Sequence, residues 1–242
     1  MSGHAQIATR HQTARFQIGR WQLPLSSQML ASSPTGLDLL DHIGTVLPVH
    51  RDQEIYGQDD PAEYYYRVMS GSVRTVKLMP DGRRQVSEFL LPGDLFGFDA
   101  LDRHDFAAEA LEDSLVTRYS RRGVEALAQR SMALSHKLRH LTIARLRQAH
   151  ERMLLLGCMT ASERISTFLL QMSDRAPASA KGRIELAMSR RDIADFLGLT
   201  IETVSRTLTM LRLDGTIGIV KRIRIEIRNR AALEGLVSDP RH

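Results

Sequence analysis

The run Met188-Ser-Arg-Arg-Asp-Ile-Ala-Asp-Phe-Leu-Gly-Leu-Thr-Ile-Glu-Thr-Val-Ser-Arg206 decides how this chain is read. Ser189 has the side chain of a helix N-cap, and Asp192 three residues later makes a capping-box-like start. Ile193, Phe196 and Leu197 then fall on one helical face. Gly198 supplies the stop, because glycine adopts positive φ without steric cost. Thr200 caps the next helix. Along that helix Val204, Leu208 and Leu211 repeat with helical spacing and face inward, while Glu202, Ser205, Arg206 and Thr209 fall on the other side. Two short helices around a glycine-containing turn predict a helix-turn-helix, whose second helix enters the major groove of double-stranded DNA.

The residues that follow extend this pattern. Asp214-Gly215 is a turn signal, and Ile217, Ile219, Ile223, Ile225 and Ile227 alternate with residues that include Arg222, Arg224 and Arg228, as in a half-buried β-hairpin. A basic β-ribbon beside a helix-turn-helix makes a winged helix. Leu186–Arg230 holds eight Arg and one Lys against three Asp and two Glu, a net charge of +4. Such a local excess is the electrostatic footprint of a polyanion binder.

Composition sets outer limits. The 242 residues suffice for one large or two ordinary domains, and 43% hydrophobic with 25% charged residues is the balance of a globular protein. Net charge is +5. No apolar run reaches the ~18 residues that would span a bilayer, so no membrane partner is expected. Cys158 is the single cysteine. One thiol makes neither an internal disulfide nor a zinc or iron–sulfur site, and it fits the reducing cytoplasm. Neither a P-loop nor a Gly-x-Ser-x-Gly, His-Glu-x-x-His or Cys-x-x-Cys motif is present, so no enzyme is indicated. Residues 1–36 contain three arginines and no acid. That composition is shared with organelle transit peptides, but without other signals it reads as a flexible tail.

Between residues 37 and 120 glycines punctuate short segments, among them Tyr64–Met69, Val73–Leu78, Gln85–Leu91 and Leu115–Tyr119. Their alternation predicts an antiparallel barrel or jelly roll, with Pro80-Asp81-Gly82 as a hairpin turn. Residues 121–157 lack proline and, beyond Gly123, any glycine until their last position. They predict one long helix of about 50 Å at 1.5 Å per residue. A helix of that length calls for a partner, and a second copy of the chain is expected, with Leu134, Leu138 and Leu141 as the seam. Arg145, Gln148 and Arg152 continue the same spacing with polar groups, so the lower seam is wet, staggered or irregular. Residues 158–237 hold the winged helix-turn-helix, entered through a helix capped by Thr160. The fold class is thus α+β.

A small barrel, a long helix and a winged helix-turn-helix, in that order, resemble the CRP/FNR family of bacterial transcription regulators. Asp81-Gly-Arg-Arg-Gln85, Leu91-Pro-Gly-Asp94, Arg152-Met-Leu-Leu-Leu-Gly157 and Arg191–Arg206 are most similar to its FixK type. The resemblance implies a cyclic-nucleotide-binding-like barrel, a homodimer, RNA polymerase as a further partner, and gene control under low oxygen. It also implies a base-reading set: Arg206 donating to guanine, Glu202 accepting from cytosine and Ser205 touching thymine. Those pairings agree with groove chemistry. CRP-type readers carry arginine where this chain has Ile201, so the half-site expected is TTGA, in sites of the form TTGA-N6-TCAA. Ser189, Arg190, Arg191, Thr200, Thr203, Thr209, Lys221 and Arg222 are the candidates for phosphate or supporting contacts.

The same resemblance bears on ligands. Cyclic-AMP-binding members use Gly-Glu and, shortly after, Arg-Ser-Ala. This chain reads Gly97-Phe98, with Asp99 one residue late, and Phe106-Ala107-Ala108. A buried phosphate without a cation is costly. No cofactor and no effector are therefore expected, and the histidines show no ligand pattern. Some FixK proteins carry a redox-sensitive cysteine where this chain has Ser189. Cys158, at the junction to the DNA-binding segment, reads as a small buried hydrophobe; oxidation that shifts the domains is the alternative role.

Overall fold

In a computed structural model the described residues are 37–98, 102–176, 180, 182–221 and 224–238. The N-terminal tail, Asp99 and the wing residues Arg222 and Ile223 lie outside them. A short 3-10 helix (Asp38–His42) leads into eight strands: β1 (Gly44–Val49), β2 (Glu54–Tyr56), β3 (Tyr64–Ser70), β4 (Val73–Leu78), β5 (Arg84–Leu90), β6 (Leu95–Phe96), β7 (Ala107–Ala110) and β8 (Ser114–Ser120). They form two four-stranded sheets, ordered β1-β8-β3-β6 and β2-β7-β4-β5, with antiparallel pairing throughout. Alternation puts Tyr66, Val68, Val73, Leu90, Phe96 and Val116 into the barrel interior. Each such burial is worth ~1.5–3 kcal/mol, enough to fix the strand register. Gly71 holds β3 and β4 together at φ +81°; a Cβ there would lie 2.8 Å from the Asp113 carbonyl oxygen.

The long helix is in fact two. Helix α1 (Arg121–Arg130) ends at Ser131, whose backbone is extended (φ −125°, ψ 105°), and α2 (Met132–Cys158) begins there. Ser131 caps α2 by accepting from the Leu134 amide. The chain turns because Val124 and Leu134 both pack on the barrel beside Tyr119, Leu95 and Leu40. The 27 residues of α2 span about 40 Å at 1.5 Å per residue.

This packing bears on the expected seam. Leu134 is wholly buried in its own protomer, and Leu138 and Leu141 lie half-buried on the same barrel cluster. The polar continuation of that stripe does the same work lower down. Arg145 donates to the Leu95 carbonyl and pairs with Glu88, and Arg152 donates to the carbonyls of Val86 and Phe196. Leu134, Arg145 and Arg152 are thus engaged within the chain, while Leu138 and Leu141 keep part of their surface exposed. The solvent-facing stripe is a different one: Ile143, Leu146 and Met153 are 51%, 57% and 70% exposed. They are spaced by three and seven residues on one face of α2.

After α2 come α3 (Ala161–Arg175), β9 (Arg183–Glu185), α4 (Arg190–Leu197), α5 (Ile201–Leu213), β10 (Ile217–Lys221), β11 (Arg224–Ile227) and α6 (Arg230–Ser238). Thr160 and Glu163 form a capping box on α3. Strands β10, β11 and β9 make an antiparallel sheet, with β11 in the middle. No described helix is long and apolar enough to cross a membrane.

Candidate nucleic-acid interface

The turn between α4 and α5 follows from local chemistry. The Ser189 hydroxyl accepts from the Asp192 amide at 3.1 Å, and the Asp192 carboxylate accepts from the Ser189 amide at 2.9 Å. Gly198 closes α4 in the left-handed region (φ +61°). Thr200 then starts α5 by accepting from the Thr203 amide at 3.2 Å. Ile193, Ala194, Leu197, Val204, Leu208 and Leu211 are buried between the helices. Their burial fixes the roll of α5 about its own axis, and so decides which side chains face outward.

Glu202, Arg206 and Thr209 are exposed, and Ser205 is half-exposed beside them. Among the described residues neither Glu202 nor Arg206 has a hydrogen-bond or ion-pair partner. Ile201 is 40% exposed at the start of the same helix and offers only apolar contact. An outward helix face carrying a fork of donors, a carboxylate and a hydroxyl, none engaged elsewhere, can read base edges in a major groove. The supporting candidates divide. Arg191, Ser189 and Thr200 are exposed at the two helix starts, where amide groups and a positive dipole end also lie. Thr203 and Thr209 are engaged locally, with Thr200 and with the Ser205 carbonyl. Arg190 is half-buried, burial lowers its pKa, and its Nη1 has no hydrogen-bond partner among the described residues. Lys221 stands in β10.

Three arginines in and beside the wing sheet form ion pairs. Arg224 pairs with Glu185, and Arg183 and Arg228 both pair with Glu226.

Helix α4 is tied to the barrel. The Asp192 carboxylate, 4% exposed, lies 3.0 Å from Arg74 Nη1 and 2.6 Å from Arg84 Nη2. Burial pushes its pKa up, but hydrogen bonds from Ser189 and the charges of Arg74 and Arg84 outweigh that and hold it below the usual carboxylate range. A lowered folded value means that this carboxylate stabilises the fold above the ordinary aspartate range and stops doing so as pH falls through its own lower value. Arg152 stacks on Phe196, 3.4 Å from the ring centre, and burial brings its pKa down to about 10. It remains charged at neutral pH. Arg164 in α3 donates to the carbonyls of Leu156, Met159 and Leu197, each at 2.9 Å, and so joins the end of α2 to the end of α4. Cys158 lies at this junction but is exposed, which corrects its expected burial. None of these long-range ties is visible in local sequence pattern.

The barrel's inner cavity, between β6 and α2, has a volume of about 180 Å³ and is lined by Tyr56, Phe96, Phe98, Phe106, Leu141 and Arg145, among others. Ligand pockets run to roughly 300–1,000 Å³. Arg145 is the cation among its described lining residues, and it is engaged by Glu88 and the Leu95 carbonyl.

Comparison with known proteins agrees with this geometry. Residues 163–236 match the model of the Crp-like helix-turn-helix domain, and residues 46–131 match that of the cyclic nucleotide-binding domain. The nitrogen fixation regulation protein FixK of Azorhizobium caulinodans is 47% identical over 81% of this chain and 80% of its own. The chain belongs to the CRP/FNR family, FixK type. The FixK protein of Bradyrhizobium diazoefficiens is 38% identical over 74% of this chain and 77% of its own. The solved structure of FixK2 from Bradyrhizobium japonicum superposes with a TM-score of 0.76 at 47% identity, covering 80% of this chain and 97% of that one. As a FixK-type member of the family, the chain is a DNA-binding transcription regulator. Within that frame α5 is the recognition helix and β10–β11 the wing.

Proposed function

We propose that this regulator works as a homodimer that reads TTGA-N6-TCAA-type palindromes, most plainly as an activator, and that it needs no bound effector. The observation that carries the reading is the outward face of α5, where Glu202, Ser205 and Arg206 stand together with the two charged groups unpaired among the described residues. Arg206 donates to guanine O6 and N7, Glu202 accepts from cytosine N4, and Ser205 contacts a neighbouring thymine. Arg191, Ser189 and Thr200 hold phosphates, and Lys221 and Arg222 are further candidates for backbone contacts. The exposed stripe Ile143–Leu146–Met153 on α2 supports a self-paired helix, and a twofold dimer presents two readers to a palindrome. RNA polymerase is the protein partner that the family implies. The names of the FixK relatives point to nitrogen fixation and so to low-oxygen gene control.

A regulator switched by a nucleotide in the barrel is the competing reading, favoured by the match to the cyclic nucleotide-binding domain. The small cavity and the engaged Arg145 speak against it. An allosteric effector of ordinary strength changes affinity about 5–150-fold. Fluorescence anisotropy on a duplex bearing TTGA-N6-TCAA, at fixed salt, is expected to give the same Kd with and without millimolar cyclic AMP. A gain within that range would establish the ligand-switched reading instead.

A further inference from the structure

The reader helix of a two-headed protein has to be aimed as well as chemically competent. Two recognition helices engage one palindrome only if the distance and angle between them match the helical repeat of DNA. In this chain α5 packs against α4, α3 and β10, so its aim depends on what joins those elements to the barrel. Arg175 of α3 donates to the Phe89 carbonyl and pairs with Asp94, and a larger junction ties α4 to the barrel.

That junction is built from side chains. Arg84, on the β5 edge of the barrel, reaches α4 with its guanidinium: Nε lies 2.9 Å from Asp195 Oδ2 and Nη2 lies 2.8 Å from it, while Nη2 also lies 2.6 Å from Asp192 Oδ1. Arg74, from the neighbouring β4, brings Nη1 within 3.0 Å of the same Asp192 oxygen and pairs with Glu109 at 2.6 Å. Gln85 donates to the Asp195 carbonyl at 2.5 Å. The arginine side chains are only 12% and 23% exposed, and those of Asp192 and Asp195 4% and 21%. Behind them Phe89 of β5 packs on Phe196 of α4 with ring centres 4.8 Å apart. Phe89 and Phe196 belong to one apolar cluster that runs from Val76 and Val86 in the barrel to Phe168 and Leu208 in the DNA-binding part. The apolar contacts supply adhesion without direction. The planar Arg84 guanidinium supplies the direction, because its N–H groups reach Asp195 Oδ2 and Asp192 Oδ1, two carboxylates one helical turn apart, at once.

We infer that Arg84, seconded by Arg74, is a positioning residue for DNA recognition: it locks the first helix of the helix-turn-helix to the barrel and so sets the aim of the recognition helix. The barrel then does with its own arginines what an effector would otherwise have to do. Arg84 touches no DNA in this arrangement. It acts through Asp195 and Asp192, and through α4 on α5. The inference rests on the dimeric, palindrome-reading function proposed above.

The test separates aim from chemistry. Wild type, Arg84→Gln, Asp195→Asn and the double variant are compared on a full palindrome, on a duplex with a single half-site, and on palindromes with the spacer shortened or lengthened by one base pair. Circular dichroism melts establish that each is folded; Asp195→Asn, an isosteric change, covers the case in which Arg84→Gln does not fold. The expected result is a loss on the order of tenfold in palindrome affinity for each single variant and little further loss in the double, the non-additivity of partners in one contact. Half-site affinity and the salt slope stay unchanged, and the preference for the six-base spacer weakens. Unchanged palindrome affinity and spacing preference would overturn the inference. So would an equal loss on half-site and palindrome with a shallower salt slope, because Arg84 would then be a phosphate contact. If wild type itself does not prefer the palindrome to the half-site, it is the dimeric reading that fails.

Discussion

Replacing Arg206 with alanine is expected to cost about 1–3 kcal/mol of specific DNA affinity, roughly five- to 150-fold, and to erase the preference for guanine in the half-site. The reason is geometric. Arg206 lies one helical turn beyond Glu202 on the exposed face of α5, and Val204 and Leu208, buried at 0% and 2%, prevent that face from rolling away. With no partner among the described residues, the guanidinium has no competing contact to give up on binding. Its fork matches the O6 and N7 acceptors of guanine, and no other base pair presents two acceptors in that place. Arg206→Lys keeps the charge but loses the fork, so it should recover part of the affinity and little of the selectivity. Affinities for duplexes carrying each of the four bases at that position measure both. Arg206→Ala with its base preference intact would remove Arg206 from the reading set.

The second large effect concerns assembly. Leu146→Asp should leave the chain folded and make it monomeric, with palindrome affinity falling by about 10²-fold or more as the benefit of two linked readers is lost. Leu146 is the middle of the exposed stripe between Ile143 and Met153, and an aspartate there would face its own copy across a dry seam. Leu134→Asp offers the contrast. That side chain is wholly buried on the barrel beside Tyr119, so the change should lower the melting temperature of the protomer instead of releasing folded monomers. Sedimentation velocity and thermal melts of the two variants distinguish the outcomes. A Leu146→Asp chain that stays dimeric would return the seam to another face of α2.

The contrast between those leucines also shows where sequence was readable. Ser189, Asp192, Gly198 and Thr200 act within three or four residues of their partners, so the helix-turn-helix was legible to its caps. Strands β3, β4, β5 and β8 were legible because each is long enough to alternate. Strands β2 and β6, at three and two residues, carry too few positions for a period to emerge. The break at Ser131 was missed because a lone serine is a weak cap signal when the third helical residue, Leu134, cannot complete a box. The spacing of Leu134, Leu138 and Leu141 reads as a seam with a second copy, but periodicity says that a face is covered and not by what; Leu134 lies wholly buried against the barrel. The arginine ties to Asp192 and Asp195 span more than a hundred residues in sequence, and charge composition alone counted those groups as solvent-facing.

Selection of bound sequences from a random duplex pool at fixed salt tests the central claim most directly. The account predicts enrichment of two TTGA half-sites in inverted orientation, six base pairs apart, with or without cyclic AMP in the buffer. Enrichment of TGTGA half-sites, of single half-sites without a partner, or of a palindrome only when cyclic AMP is present would contradict it.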